Sequence, residues 1–268
     1  MTSIEAGLPA FDTLSRFSLE DKVVVVTGSG YGIGRQIALG IAGAGAKVVV
    51  CGRSEDKVAD TAETILSHGG VAIAVAFDAT EKQDCVELVN CCVEQFGRID
   101  AMVINHGVIE VNAPEDLMEE QWLNVVHVNL NSCFYCAQAA GSQMIDQGEG
   151  GALVMVSSNG SLTAFAGLAA YGASKGGVDQ LCRQLAAEWG KYRIRVNTIN
   201  PGYTDNQMGG RPKKSLAPDL EVDIENLTPL ERRGRAEEMV GPVLFLASDA
   251  ASFVTGHCLV VDGGYSIL

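Results

Sequence analysis

The sequence predicts an α/β fold in which one doubly wound parallel sheet is flanked by helices within a single domain. Three observations carry this expectation. Short runs such as Val23-Val24-Val25-Val26 and Val48-Val49-Val50-Cys51 are apolar throughout, as strands covered on both faces must be. Segments of helical periodicity separate such runs at the distance a crossover requires. A chain of 268 residues with 47% hydrophobic content suffices for one large core, and no repeat, low-complexity tract or linker divides it.

Residues 1–20 are weakly patterned and are expected to lie on the surface as an arm, leaving 21–268 as the domain. The first strand runs into Thr27-Gly28-Ser29-Gly30-Tyr31-Gly32-Ile33-Gly34, followed by a helical pattern through Ile37, Ala38 and Ile41. A strand, a glycine loop and a helix start make a Rossmann-type phosphate cradle: N–H groups converge there and glycine lets a pyrophosphate reach the main chain. The spacing is T-G-x-x-x-G-x-G, and Ile33 stands where the general G-x-G-x-x-G fingerprint, counted from Gly28, would place its third glycine. The second strand ends in Gly52-Arg53-Ser54. A carboxylate at this strand end would hold the adenosine ribose of NAD, whereas a basic residue accommodates a 2′-phosphate. Gly52 supplies no carboxylate and Arg53 supplies the charge, so NADP(H) is the expected cofactor and NAD(H) the alternative.

Alternation continues with a helix from Lys57 to Ser67, a strand from Val71 to Phe77 ending at Asp78, a helix from Asp84 to Phe96 and a strand from Ala101 to Ile104. Ligands gather at the carboxyl ends of parallel strands, which singles out Asp78, Asn105, Ser158 and Asn200. A long helical stretch after Glu119 contains Asn129, whose amide must find partners if buried. Residues 203–227 lose periodicity and collect Gly209-Gly210, Pro212 and Pro218, with Arg211, Lys213 and Lys214 between them, a composition suited to a mobile loop. A last helix from Ala236 to Ser248 precedes the final strand.

Composition narrows the function. With 33 acidic and 19 basic residues the net charge is -14, which argues against nucleic acid and anionic membrane surfaces as partners. No apolar run reaches the length of a bilayer span and the first residues hold no signal-peptide core, so a cytoplasmic location is expected. Of the 8 cysteines only Cys133-Phe134-Tyr135-Cys136 forms a C-x-x-C, without the second pair a zinc site needs. Its apolar helical setting indicates packing, and the same holds for Cys91 and Cys92. His68, His106, His127 and His257 lack metal-ligand spacing, so no catalytic metal is expected.

The chemistry centres on Ser158 and on Tyr171-Gly172-Ala173-Ser174-Lys175. On a helix, Tyr171 and Lys175 share one face a turn apart. A tyrosine titrates near ~10, and an ammonium beside it favours the phenolate, bringing its proton within useful reach. Ser158 closes the apolar run Leu153-Val154-Met155-Val156 and is placed to bind the oxygen to which the proton moves. The three residues form an acid/base group suited to a carbonyl.

From about Val23 to Gly264 these motifs together resemble the short-chain dehydrogenase/reductase family in its compact single-domain form. Thr27 to Gly34 resembles the family's cofactor loop, Asp78 the residue that holds the adenine, and Asn129 the helix asparagine that supports a proton-relay water. Ser158, Tyr171 and Lys175 resemble the catalytic group, and Asn200-Pro201-Gly202 the turn beside the nicotinamide. Phe245-Leu246-Ala247-Ser248-Asp249, Thr255-Gly256 and Asp262-Gly263-Gly264 resemble the family's ending. The start, Phe17-Ser18-Leu19-Glu20-Asp21-Lys22, is similar to gluconate 5-dehydrogenase-type and 3-oxoacyl-carrier-protein-reductase-type members.

The resemblance implies an NADP(H)-dependent oxidoreductase that interconverts a secondary alcohol and a ketone, acts on a small molecule and assembles as a homotetramer. It implies cofactor contacts from Gly28, Ser29, Tyr31, Gly32, Ile33, Gly34, Arg53, Asp78, Ala79, Asn105, Gly107, Tyr171, Lys175, Pro201, Gly202 and Thr204. Lys175 would hold the nicotinamide ribose and lower the phenol's pKa, and residues 203–227 would cover the substrate as a lid. His106, Asn159, Tyr203 and Asn206 are the expected substrate contacts. Two departures fall near the nicotinamide. The family's N-N-A-G is Ile104-Asn105-His106-Gly107, leaving His106 as either a substrate contact or a structural residue, and Asn206 replaces the usual threonine. The alternatives are a catalytically silent dinucleotide sensor or scaffold, against which the intact Ser158, Tyr171 and Lys175 argue, and an NAD-dependent dehydrogenase, epimerase or dehydratase.

Overall fold

The valine run of strand β1 (Val23–Thr27) lies at the centre of the sheet in a computed structural model of the chain, which describes residues 12–205, 224 and 226–268. The strands that follow are β2 (Lys47–Gly52), β3 (Val71–Ala76), β4 (Ala101–Ile104), β5 (Gly151–Val156) and β6 (Ile194–Pro201). A two-residue pair, β7 (Thr204–Asp205) with β8 (Gly234–Arg235), forms a separate ladder before β9 (Cys258–Val261). The large sheet has seven strands, all parallel, in the order β3-β2-β1-β4-β5-β6-β9. Its order reverses between β1 and β4, so the connections after these two strands leave in opposite directions and open a crevice at their carboxyl ends.

Each strand of the centre is apolar on both sides because each side meets helices. Val24 and Val26 of β1 pack with Ile37, Ile41, Val243 and Leu246, on the face covered by α1 (Gly32–Gly43), α2 (Glu55–Ser67) and the last helix, Val240–Ala247. Val23 and Val25 point the other way, toward Leu88, Met144 and Leu185. That face is covered by α3 (Lys82–Phe96), α5 (Ser132–Gln147) and α6 (Ala169–Trp189). The two-sided burial answers the continuous valine pattern directly.

Between β4 and α5, α4 (Glu119–Val126) passes into a π-helical turn, His127–Asn131, before α5 begins. The long helix read after Glu119 is therefore interrupted at Asn129, where side-chain bonds to neighbouring main chain compete with regular helix. The last helix is also shorter than its pattern: Ala236–Met239 forms a 3-10 turn ahead of Val240–Ala247, here α7. Arg195 caps α7 by donating to the carbonyls of Leu246 and Ser248. The end of the N-terminal segment is docked, since Leu19 is buried, its N–H donates to Ala44, and Phe17 packs against Phe245. Cys133 and Cys136 are both buried, and burial pushes the Cys133 thiol up to about 12, which suits packing and leaves little thiolate. Among the described residues no helix is long and apolar enough to cross a membrane.

At the crevice, Gly28 and Gly32 hold left-handed backbone, with φ of 62° and 58°. Gly34 is constrained by space: a Cβ there would collide with the Gly28 carbonyl oxygen and the Asn105 side-chain amide. Gly34→Ala is therefore expected to cost about 1–3 kcal/mol or more through overpacking. Thermal denaturation measures this, and a wild-type melting temperature would contradict the close approach.

Candidate active site

The glycine loop is fastened from below and open above. Asn105 donates its side-chain amide to the carbonyls of Thr27 and Gly28 at 3.2 and 3.1 Å, joining the ends of β1 and β4 across the crevice. Ser29 ties the loop to β2: its hydroxyl donates to Val26 and accepts from the N–H of Cys51, and its own N–H donates to Cys51. Neither donor of Ser29 is left for a cofactor, so its place in the expected contact set reduces to shaping the loop. Ile33 is buried under the start of α1, whereas Tyr31, Gly30 and Gly32 remain accessible at its mouth. The α1 N-terminus and the loop main chain at the partly accessible Gly28, Gly30 and Gly32, where no side chain intervenes, fit a dinucleotide pyrophosphate.

At the end of β2, Arg53 is exposed, and the Ser54 hydroxyl makes no capping bond to α2. Lys57 lies over the Tyr31 ring with its ammonium 4.9 Å from the centroid. Arg53 and Lys57 thus bring two positive charges to one rim of the cradle. Asp78, after β3, is pushed up by burial, but hydrogen bonds from the N–H and hydroxyl of Thr80 and the nearby Arg53 charge hold it below the usual carboxylate range. Ala79 is buried beside it.

Helix α6 lines up Tyr171, Lys175 and Asp179 at successive turns, all buried. The Lys175 ammonium donates to the carbonyl of Val156 at 2.8 Å and stands 5.8 Å from the Tyr171 ring centroid. Ser158 lies two residues after the end of β5, and its hydroxyl accepts from the N–H of Gly160 at 3.0 Å. A Cβ built on Gly160 would lie 3.3 Å from the Ser158 hydroxyl and 3.5 Å from Cε1 of Tyr171, so both residues border Gly160, and a side-chain hydrogen bond joins Ser158 to the phenol.

Burial lowers the Lys175 pKa to about 8, with Cys133 and Asp179 opposing the shift. Burial raises the Tyr171 phenol, with a Ser158 hydrogen bond opposing. The expectation that Lys175 brings the phenol down is not met in this structure. The ammonium donates to Val156, and burial is the larger cause acting on the phenol.

Beneath Ser158 lies a polar cluster that the sequence did not single out beyond Asn200. Asn200 is fully buried and donates to the Ser158 carbonyl at 3.1 Å, to the Ser161 hydroxyl at 2.9 Å and to Asp179 at 2.9 Å. Ser161 donates to the same carboxylate at 2.6 Å. Asp179 thereby links the helix of Tyr171 and Lys175 to the loop of Ser158. Its place four residues after Lys175 was the available signal.

Asn129 uses both of its side-chain N–H groups, donating to the Val108 carbonyl at 2.9 Å and the Ser174 hydroxyl at 3.0 Å, while its Oδ1 accepts from the Val108 N–H at 2.8 Å. Gly107 passes between Asn129 and Lys175, since a Cβ there would lie 3.2 Å from Asn129 Oδ1 and 3.5 Å from Lys175 Nζ. His106 has both ring nitrogens engaged, at 2.8 Å from the Thr27 hydroxyl and 2.6 Å from that of Ser132. Of its two expected roles, this geometry fits the structural one.

On the substrate side, the Asn159 amide nitrogen is buried without a partner among the described residues. Phe165, Tyr203 and Tyr265 pack together with ring centroids 5.5–5.7 Å apart. Phe165 also borders Gly160, and the guanidinium of Arg233 lies 5.7 Å from the Tyr203 ring centroid. Pro201 ends β6, the Gly202 N–H donates to Val261, and the Thr204 hydroxyl donates to Gly202, fixing the turn beside the crevice. Phe165 and Tyr265 meet only through tertiary packing, so periodicity could not have found them. Asn206, Arg211, Lys213 and Lys214 lie outside the described residues.

The family model described as Enoyl-(Acyl carrier protein) reductase matches residues 28–266. The L-rhamnose 1-dehydrogenase (NAD(P)(+)) of Azotobacter vinelandii is 39% identical over 252 residues, covering 92% of this chain and 97% of that protein. The 2-dehydro-3-deoxy-D-gluconate 5-dehydrogenase of Escherichia coli is 36% identical, covering 94% and 98%. Among solved structures, a gluconate 5-dehydrogenase from Burkholderia cenocepacia in complex with NADP and tartrate superposes with a TM-score of 0.90 at 32% identity, covering 95% of this chain and 99% of that one. A short-chain type dehydrogenase/reductase from Mycobacterium marinum gives 0.90 at 34%, covering 94% and 98%. A phosphate cradle joined to a buried tyrosine, lysine and serine, in a chain matched along nearly its whole length, is that of an NAD(P)-dependent oxidoreductase, and the chain belongs to the short-chain dehydrogenase/reductase family.

Proposed function

We propose that this oxidoreductase interconverts a secondary alcohol and a ketone on a sugar or sugar acid, with NADP(H) preferred over NAD(H). The observation that carries the reading is the hydrogen bond between the buried Ser158 and Tyr171 side chains, with Lys175 one helical turn away. The bound nicotinamide supplies or accepts the hydride. Tyr171 delivers the proton to the carbonyl oxygen, and its raised pKa keeps the phenol protonated and ready as the acid. Ser158 donates to the same oxygen, turning its hydroxyl proton from the long 3.5 Å bond to Asn159 Oδ1 while it accepts from the Gly160 N–H. Lys175 holds the cofactor's ribose and returns a proton toward Tyr171. Asn129 keeps that path connected through its main chain, since both of its side-chain N–H groups are engaged elsewhere.

The substrate class is supported from two sides. The named relatives above act on sugars and sugar acids, and the ring cluster of Phe165, Tyr203 and Tyr265 offers apolar faces against which the C–H face of a sugar can stack. The unpartnered Asn159 amide suits a substrate hydroxyl. Arg233 beside Tyr203, and the sequence cluster of Arg211, Lys213 and Lys214 in the expected lid, suit a carboxylate. Arg53 and Lys57 support NADP(H), whose 2′-phosphate they can pair.

We also infer a cytoplasmic homotetramer, the assembly expected from the family. Exposed Trp122 and Leu123 on α4, Phe134 on α5, and Phe253, Ile267 and Leu268 near the C-terminus supply apolar faces for it. Free cysteines throughout the chain suit a reducing compartment.

Tyr171→Phe removes one hydroxyl, and loss of turnover with retained NADPH binding is expected; turnover at the wild-type rate would refute the acid/base assignment. Arg53→Ala should weaken NADPH by about 1.5–3 kcal/mol, the range of a hydrogen bond to a charged group, and leave NADH nearly unaffected. Fluorescence titration with both cofactors reads the difference, and a wild-type enzyme with the higher kcat/KM for NADH would overturn the preference.

Lys175 makes a prediction about stability. Its pKa falls from 10.5 when free to about 8 in the fold, so between these values the unfolded chain binds more protons and stability rises with pH. Below about 8 the buried charge weighs fully against the fold. Lys175→Met is therefore expected to be inactive yet to melt higher than wild type at pH 7, with the gap closing as pH rises toward 10.5. A variant that melts lower than wild type at pH 7 would show that the lysine stabilises the fold.

A further inference from the structure

His106 stands where the family's N-N-A-G pattern has alanine, so whatever its ring does is an addition in this chain. Its hydrogen bonds can be assigned without ambiguity. Ser132 donates its only hydroxyl proton to the carbonyl of Val128, one residue before Asn129. The 2.6 Å contact between His106 Nε2 and the Ser132 oxygen must then be a donation from the ring. Nδ1, left as acceptor, takes the proton of the Thr27 hydroxyl at 2.8 Å, and that hydroxyl in turn accepts from the N–H of Asn105 at 3.0 Å. One neutral tautomer satisfies every group. Burial and the Lys175 charge keep the ring in that form by lowering its pKa to about 3.

The chain of bonds runs from Thr27, where β1 meets the glycine loop, through the ring to Ser132 and the carbonyl of Val128 inside the π-helical turn. Asn129 of the same turn reaches back to both main-chain groups of Val108, two residues beyond His106. The loop after β4 and the π turn are thus tied twice, once by each side chain. Only the His106 tie extends to the cofactor loop.

We propose that His106 is a positioning residue that couples the cofactor loop to the π turn carrying Asn129, and so sets the geometry of the proton path beside Lys175. This rests on the proposed role of Asn129. The two ends of the ring can be separated, because an asparagine carbonyl can take the place of Nδ1 and a glutamine amide that of Nε2.

His106→Asn should keep the Thr27 end and lose the Ser132 end, holding the NADPH dissociation constant near wild type while kcat falls on the order of tenfold. Ser132→Ala should give the same split from the other side, and the double variant should be no slower than either single one. His106→Gln should recover part of kcat. A readout independent of turnover is the 15N signature of the imidazole, which should report the Nε2–H tautomer in the wild type and lose it in Ser132→Ala. Asn129→Ala is the reference. If it turns over normally, the relay reading itself fails. If it is slow while His106→Asn and Ser132→Ala keep wild-type kcat, or if the two effects simply add, the coupling through His106 is overturned.

Discussion

The ammonium of Lys175 is held at 3% exposure, where its charge opposes folding, and the rest of the site can be understood as what is needed to keep it there. A buried cation persists only if its hydrogen bonds are met and its surroundings cannot collapse onto a neutral alternative. The carbonyl of Val156 meets one of those bonds, and that carbonyl is available because the ladder between β4 and β5 ends at the Ile104–Met155 pair. The end of a central parallel strand is therefore a structural requirement of the lysine, as well as the place where ligands gather. Stability is given up at the position where the proposed chemistry needs a proton carrier.

Around this charge the polar groups are arranged so that each is anchored by main chain from a different strand. Asn200, at the end of β6, holds the Ser158 carbonyl and Asp179. Asn105, at the end of β4, holds the glycine loop at the end of β1. Asn129 holds Val108. Asparagine recurs because one amide can donate and accept at once, which satisfies two unpaired main-chain groups at a strand end without adding charge to a region that already carries one. Mobility in any one of these loops would relax the distance between Ser158 and Tyr171, and the cross-links suppress it.

The fold was legible because its signals are local and redundant: valine runs buried on two sides, helical spacing between them, glycines where main chain must approach main chain. The grouping of the candidate catalytic residues was legible for a similar reason, since Tyr171 and Lys175 lie a turn apart on one helix and Ser158 comes two residues after a strand ends. What escaped was what depends on tertiary contact. Ser132, Phe165 and Lys57 carry no distinguishing pattern and gain their roles only when helices and loops meet. The direction of the Tyr171 shift in this structure was not legible because the spacing of Lys175 shows proximity but not depth, and burial raises the phenol. Ser29 was read as a cofactor contact from its place in the loop, whereas in this structure its hydroxyl turns inward to the β1 and β2 main chain.

The distribution of charge completes the account of how an acidic chain can take an anionic cofactor. A net charge of -14 would repel a dinucleotide phosphate at long range, but screening confines that repulsion to roughly 8 Å at physiological ionic strength. Within that distance of the cradle the sign is set locally, by Arg53 and Lys57 at the rim and by the N-terminus of α1 at its floor. Asp78, although acidic, has its carboxylate engaged by both donors of Thr80, so its charge is tied inward. The acidity of the remaining surface then serves solubility and leaves recognition to a small positive rim, which is why cofactor choice can rest on few residues while overall composition says only which macromolecular partners are disfavoured.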